Sequence, residues 1–388
     1  MEKPNHIIIK TVFGFESILA KELEELGATN IQILRRAVQV DYNKKLLYKM
    51  NMALRTALRV LVPVATFTAD NDKTLYDNAL AIDWPSLFEV SKTFSVHADI
   101  KTTYFKHSNF VSLRVKDAIV DRFRIVVSER PNVQPNNAEV SIYVLVGGEK
   151  VTIYLDSSGE SLHKRGYKKF QNKAPLSEVL AAGLVLMSGW KGETPFVDGM
   201  CGAGTILIEA ALIALNKAPN LKRRNFCFSH WKDYDQRMYQ EVSRELVNDE
   251  KTDLNVWLYG YDNHGHSINM AAQNIEAASL DEFIKLKKIS FFETQKPADK
   301  TTIILNPPYG ERMEVEEIET FYRTIGDTFK HKYTNCTGFV LSSNRDAMKR
   351  IGLKTTSRVQ LMNGELDCSY HRYDMFEGKS KDRENQAH

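Results

Sequence analysis

Asp198-Gly199-Met200-Cys201-Gly202-Ala203-Gly204-Thr205 follows the apolar pair Phe196-Val197 and precedes Ile206-Leu207-Ile208, so it reads as strand, glycine-rich turn and helix. Glycines let a backbone pass close to a ligand, and a helix N-terminus offers free N–H groups to a carboxylate or phosphate. The turn departs from G-x-G-x-x-G because Leu207 stands at the third glycine, and it lacks the Gly-Lys-Ser/Thr of a phosphate-binding loop. Working outward, strands over 256–261, 301–305 and 336–342 alternate with helices over 205–216, 267–278, 315–330 and 345–351, after a helix that begins at Pro175. This spacing predicts an α/β fold with a parallel sheet covered on both faces. Residues 357–362 and 368–374, joined through Asn363-Gly364, read as an antiparallel pair at the sheet edge.

The N-terminal part has another rhythm. Strands over 7–10, 31–34, 37–42 and 93–99, a helix over 15–26 stopped by Gly27, a helical stretch over 44–60, a basic helix over 111–128 and a hairpin over 139–146 and 150–156 predict an α+β region. The basic segment 161–174 then reads as a linker, and 379–388 as a polar, flexible tail. An insertion over roughly 217–254 has to separate the first two strands of the C-terminal sheet.

At 388 residues the chain exceeds what one core serves, and its 43% hydrophobic and 26% charged residues exclude disorder as the main state. The longest stretch without a polar side chain, Val179 to Met187, is far short of the roughly 20 residues of a spanning helix. The start, Met1 to His6 followed by Ile7-Ile8-Ile9-Lys10, has no long apolar segment with a cleavage site, so export by a signal peptide is not expected. Cys201, Cys227, Cys336 and Cys368 lie far apart with no C-x-x-C pair, which points to a reducing cytoplasm and to no structural metal.

Net charge is only +3, but its distribution is informative: residues 1–165 hold 22 Lys and Arg against 19 Asp and Glu, and 166–388 hold 30 of each. Residues 161–175 carry five cations and no acid, with Lys164, Arg165, Lys168 and Lys169 as candidate RNA contacts. Residues 101–130 alternate cations with aromatics, a pairing that suits a phosphate backbone with unpaired bases.

Two further motifs carry chemistry. In Gly260-Tyr261-Asp262-Asn263, an acid at the end of the second strand of the sheet can accept both ribose hydroxyls of a nucleoside cofactor. In Ile303-Ile304-Leu305-Asn306-Pro307-Pro308-Tyr309-Gly310, two prolines after a buried strand leave the Asn306 amide oxygen and the Pro307 carbonyl as aligned acceptors for an exocyclic amine. Tyr309 offers a flat face for an extruded base, and since the ring does the stacking, Tyr309→Phe should retain much of the activity.

Together, Asn306-Pro-Pro-Tyr-Gly-Glu-Arg312, Asp198-x-x-Cys-Gly-x-Gly-Thr205 and Leu162-His-Lys-Arg-Gly-Tyr167 resemble the THUMP-domain RNA guanine-N2 methyltransferases, which are class I, S-adenosylmethionine-dependent enzymes. The resemblance covers almost the whole chain and is strongest to bacterial members acting on 23S rRNA. The second methyltransferase fused to some of them is not expected within these 388 residues. It implies a Rossmann-like methyltransferase sheet at 175–378, a ferredoxin-like subdomain at 1–55 and an RNA-binding THUMP domain at 56–160. It places the methionine portion of S-adenosylmethionine over Cys201, Gly202 and Gly204, its ribose on Asp262 and the target amine at Asn306-Pro307; Asp198, Thr205 and Asn263 join the candidate cofactor-binding residues, and Pro308 and Tyr309 the candidate catalytic ones. Where family members carry an Asp for the adenine amine at the strand end 289–295, this chain has Glu293-Thr294-Gln295, and Gln295 is the candidate replacement. Gly199 stands where the family usually has proline, which is expected to loosen the turn slightly. The implied reaction is methyl transfer to guanosine N2 in RNA, with 23S rRNA as substrate and tRNA as the alternative; an inactive RNA-binding or ribosome assembly factor is the rival of another class. No metal is implied.

Overall fold

The computed structural model describes residues 5–170, 175–309 and 314–377. They fall into two compact units, one built from the chain up to Val12 with Leu19–Lys164 and Ala218–Asn248, the other from Phe13–Ile18, Arg165–Lys217 and the chain from Asp249 onward. Part of the basic linker (171–174), Gly310 to Arg312 of the proline motif and the tail 379–388 lie outside the described residues.

In the first unit, β1 (His6–Thr11) turns Ile7 and Ile9 into the core, and α1 (Glu16–Glu25) buries Leu19 and Leu23. Gly27, at φ +86°, closes that helix with Gly27 N–H on the Glu24 carbonyl and Ala28 N–H on Leu23. After β2 (Gln32–Leu34) and β3 (Ala37–Asp41), α2 (Lys44–Ala53) starts on the Asn43 side chain, which accepts the Leu46 N–H at 2.9 Å. The expected helix over 44–60 stops early. Glu22 takes the N–H groups of Arg55 and Thr56, and the alternating Val60, Val62 and Val64 continue as β4 (Ala57–Thr68), a strand the sequence reading missed. Pro63 is tolerated there because the ladder shifts register between Pro63 and Ala65.

Next come α3 (Asp72–Leu80), β5 (Phe94–Lys101), α4 (Ser108–Val127), β6 (Val140–Gly147) and β7 (Lys150–Asp156). The sheet order is β2-β3-β1-β4-β7-β6-β5, antiparallel except for the β5–β6 pair. One sheet therefore runs through both expected N-terminal subdomains, joined by the β1–β4 ladder. Its core, including Ile9, Val60, Trp84, Phe88, Phe123, Val144 and Ile153, is continuous.

The second unit begins with α5 (Glu178–Ser188), β8 (Phe196–Asp198) and α6 (Thr205–Ala214). Residues 218–248, expected as a mere insertion, form a packed arm of the first unit that ends in α7 (Gln236–Asn248). Asn220 N–H bonds the Met52 carbonyl at 3.0 Å, Tyr48 lies 4.7 Å from Phe228, and Lys45 pairs with Glu245 at 2.6 Å.

The chain then builds β9 (Leu258–Asp262), α8 (Gly265–Ala278), β10 (Ile284–Lys288), β11 (Thr302–Leu305), α9 (Val315–Lys332), β12 (Thr337–Ser342), α10 (Arg345–Lys349), β13 (Ser357–Asn363) and β14 (Leu366–Asp374). The order is β10-β9-β8-β11-β12-β14-β13; β8 to β12 are parallel, and β14 runs antiparallel to β12. The connection that leaves β8 runs to β9 on one side, and the one that leaves β11 runs to β12 on the other. A crevice thus opens at the carboxyl ends of β8 and β11, where open α/β sheets bind ligands.

Candidate active site

Asp198 ends β8 and is buried, with its Oδ1 accepting the Met200 N–H at 3.2 Å. Burial, and after it the charge of Asp262, pushes its carboxyl up to about 8. Past Asp198 the turn is fixed by its own backbone: Cys201 N–H bonds the Tyr261 carbonyl at 2.9 Å, and Gly204 N–H bonds the Cys201 carbonyl at 2.8 Å. Gly202 (φ +52°) and Gly204 (φ +80°) are both left-handed, and a Cβ on Gly204 would stand 3.2 Å from Ala271 Cβ. Asp262, at the end of β9, spans two segments. Its Oδ2 accepts Gly202 N–H at 3.1 Å and its Oδ1 accepts His264 N–H at 2.9 Å, which leaves each oxygen a further lone pair. The Cys201 thiol is raised well above its usual range by burial and by Asp198 and Asp262, so it is an inert wall group.

Asn306 emerges from the end of β11 beside β8. One cavity is lined by Pro175, Leu176, Asp198, Met200, Cys201, Gly202, Ala203, Thr205, Ile206 and Asn306. It unites four of the expected turn residues with the first residue of the proline motif. Gly204 shapes it as the N-cap of α6, and Asp262 holds its floor. Pro175, Leu176 and Met200 were not anticipated, since an apolar wall has no motif.

Pro307 is buried, whereas Pro308 is exposed with its carbonyl accepting from the Tyr322 hydroxyl at 3.4 Å. Tyr309 is half-buried, and its hydroxyl donates to Asn306 Oδ1 at 2.8 Å, a contact that the stacking expectation did not foresee. Asn263 is exposed and outside the cavity lining.

Three expectations change. The strand expected to end at 289–295 ends at Lys288, and Phe291–Glu293 form a short 3-10 turn. Gln295 is exposed and absent from the cavity lining; its neighbour Lys296 bonds the carbonyl of Lys332 at the end of α9, just ahead of the amino end of β12 and so away from the crevice at the carboxyl ends. Gly199 is no looser substitute for proline: an added Cβ would meet Phe291 at 2.4 Å and Leu305 at 2.6 Å.

The third change concerns the basic run. Arg165 is fully buried against Glu209 at 2.9 Å, with the Tyr167 hydroxyl 2.8 Å from the same carboxylate oxygen. Lys168 is nearly as buried, 3.2 Å from Glu178, and donates to the Leu176 carbonyl at 2.7 Å. Both were expected to contact RNA, yet both neutralise buried acids. Of the four candidate contacts, Lys164, paired on the surface with Glu160, and Lys169 are the exposed ones.

Among the described residues no helix is long and apolar enough to cross a membrane, and no group of three His, Cys, Asp or Glu side chains is placed to hold a metal ion.

Comparison with known proteins completes this picture. Residues 6–61 match the RlmL ferredoxin-like domain, 69–156 the THUMP domain and 165–372 the RMKL-like methyltransferase domain. A putative RNA methyltransferase of Synechocystis sp. is 37% identical over 94% of this chain and 95% of its own length. The ribosomal RNA large subunit methyltransferases K/L of Buchnera aphidicola and Shewanella frigidimarina are 34% and 35% identical over 97% and 93% of the chain. The chain spans about half of their length, 55% and 51%. A putative methyltransferase solved in complex with SAH superposes with a TM-score of 0.88 at 27% identity, covering 98% of this chain and 100% of that one. A possible methylase from Clostridium difficile gives 0.87 at 32%, over 97% and 99%, and a predicted N6-adenine-specific DNA methylase from Listeria monocytogenes 0.86 at 27%, over 95% and 96%.

Proposed function

This chain belongs to the RMKL-like methyltransferase family, with ferredoxin-like and THUMP domains ahead of the catalytic part, and from that premise we propose that it methylates the exocyclic N2 of a guanosine in 23S rRNA with S-adenosylmethionine as donor. The observation that carries the reading is the single cavity that holds Asp198, Cys201, Gly202, Thr205 and Asn306 together.

The donor set suits this cofactor. The first N–H groups of α6 would meet a ligand carboxylate, while Asp262 brings negative charge toward a cationic ligand. Asp262 would hold the ribose with the lone pairs its backbone bonds leave free. When bound, the cofactor supplies an electrophilic methyl group. The residues of the chain then have to orient a weak nucleophile, for which Asn306 Oδ1 has one lone pair left after the Tyr309 bond, and the Pro307 carbonyl is a second acceptor. Two acceptors on one amine turn its lone pair out of conjugation with the ring, and fixed dipoles of this kind cost no reorganisation during reaction. No strong base is needed, because the proton leaves after transfer.

RNA as substrate is supported by the THUMP match and by the names of the relatives, which for the K/L proteins specify the large ribosomal subunit. The buried free cysteines fit a reducing cytoplasm. Lys164 and Lys169 remain as candidate phosphate contacts. The test is methyl incorporation from labelled cofactor into 23S rRNA and into tRNA, with EDTA present. Label in rRNA alone is the expected result; label in tRNA alone would move the substrate, and no incorporation into either would remove the activity.

A further inference from the structure

The turn of the β13–β14 hairpin, which the sequence presented only as an edge connection, reaches the reacting centre. Asn363 is the last residue of β13, and its Nδ2 donates to the Tyr309 hydroxyl at 3.2 Å. That hydroxyl donates in turn to Asn306 Oδ1 at 2.8 Å. A carboxamide nitrogen can only donate and a carboxamide oxygen can only accept, so of its two asparagine partners only Asn306 can take the tyrosine proton, and at 2.8 Å its oxygen is a stronger acceptor than the neighbouring Cys368 thiol. Burial and the neighbouring Cys368 raise the Tyr309 hydroxyl above its ordinary range, which keeps that proton in place.

The same tyrosine is held at its other end. Asn344 accepts the Ala347 N–H on its Oδ1 at 2.9 Å, capping α10, and extends its Nδ2 to the Tyr309 carbonyl at 3.4 Å. One residue earlier, Tyr322 reaches the Pro308 carbonyl while its hydroxyl also meets Ser342 at 2.6 Å. The backbone of the proline motif is therefore braced from α9 and α10, and its side-chain chemistry from β13.

We propose that Asn363 is a positioning residue for methyl transfer, setting through Tyr309 the direction in which Asn306 Oδ1 presents its free lone pair to the target amine. The inference rests on the function proposed above. It also gives the Tyr309 hydroxyl a task of its own, against the expectation that Tyr309→Phe retains much of the activity.

Single-turnover methylation by the full-length chain tests it, with Asn363→Ala, Tyr309→Phe, the double variant and Asn363→Asp beside the wild type. A lost orienting hydrogen bond lowers the rate about tenfold, so each single variant should be slowed by that order while calorimetric cofactor affinity stays within about twofold. The double variant should be no slower than the slower single one, because either change cuts the same relay. Asn363→Asp should be at least as slow as Asn363→Ala, since a carboxylate draws the tyrosine proton away from Asn306. Wild-type speed in Asn363→Ala, or losses that multiply in the double variant, would overturn the relay and leave the proposed activity standing. A wild-type chain that transfers no methyl group to RNA overturns both.

Discussion

Arg165→Ala should behave as a stability mutation, despite its place in the most basic stretch of the chain. The guanidinium Nε stands 2.9 Å from Glu209 Oε1, and both side chains are at 0% exposure. Removing the cation leaves a carboxylate in the interior, which the Tyr167 hydroxyl can contact but cannot neutralise. Breaking a buried pair in this way costs about 3–5 kcal/mol. In a unit of this size each kcal/mol lowers Tm by about 2–4 °C, so a fall of roughly 6–20 °C is expected by scanning calorimetry of the full chain. Arg165→Met combined with Glu209→Leu should recover much of that loss, because it removes both charges and keeps the volume. An unchanged Tm in Arg165→Ala, together with weaker RNA binding and a shallower salt dependence, would refute the assignment and return Arg165 to the RNA surface.

Other outcomes follow from the site. Asp262→Ala frees the N–H groups of Gly202 and His264 as well as removing the proposed ribose acceptor, and cofactor affinity by calorimetry should drop at least tenfold, the worth of about one charge-assisted hydrogen bond. Asp198, raised to about 8 in the folded chain, stays protonated there while its unfolded counterpart ionises near pH 4; stability should therefore fall as pH rises between these values, and Asp198→Asn should flatten that slope in urea unfolding at pH 5 to 8. Gly199→Ala should destabilise by about 1–3 kcal/mol in chemical denaturation, given the Phe291 and Leu305 contacts its Cβ would make. A neutral result there would show that the turn has room the structure does not suggest.

Much of the catalytic unit was legible because its signals are local. Short apolar runs followed by Asp198, Asp262 and Asn306 marked three strand ends, and amphipathic spacing marked the helices between them. What the sequence hid depends on distant partners. Nothing in the stretch from Ala53 to Thr56 announces that Glu22 will take two of its N–H groups and end α2, and Pro63 argues against the strand it occupies. The basic run misled for the same reason: composition shows that Arg165 and Lys168 are cations, but only the fold sets Glu209 and Glu178 against them. Gly199 looked like a minor departure from a family pattern until Phe291 was seen beside it. Tyr309 was read for its ring, and its hydroxyl acquired a partner only when β11 and β13 were placed in one sheet.

The central claim is that Asn306 orients a guanosine amine for methylation, and the most direct measurement is the identity of the product. RNA treated with methyl-labelled S-adenosylmethionine and the full chain should yield, after digestion to nucleosides, N2-methylguanosine as the labelled species, and Asn306→Ala should bind cofactor normally while forming almost none. N6-methyladenosine or another guanosine isomer as the sole product would contradict the base assignment, and full activity in Asn306→Ala would contradict the site itself.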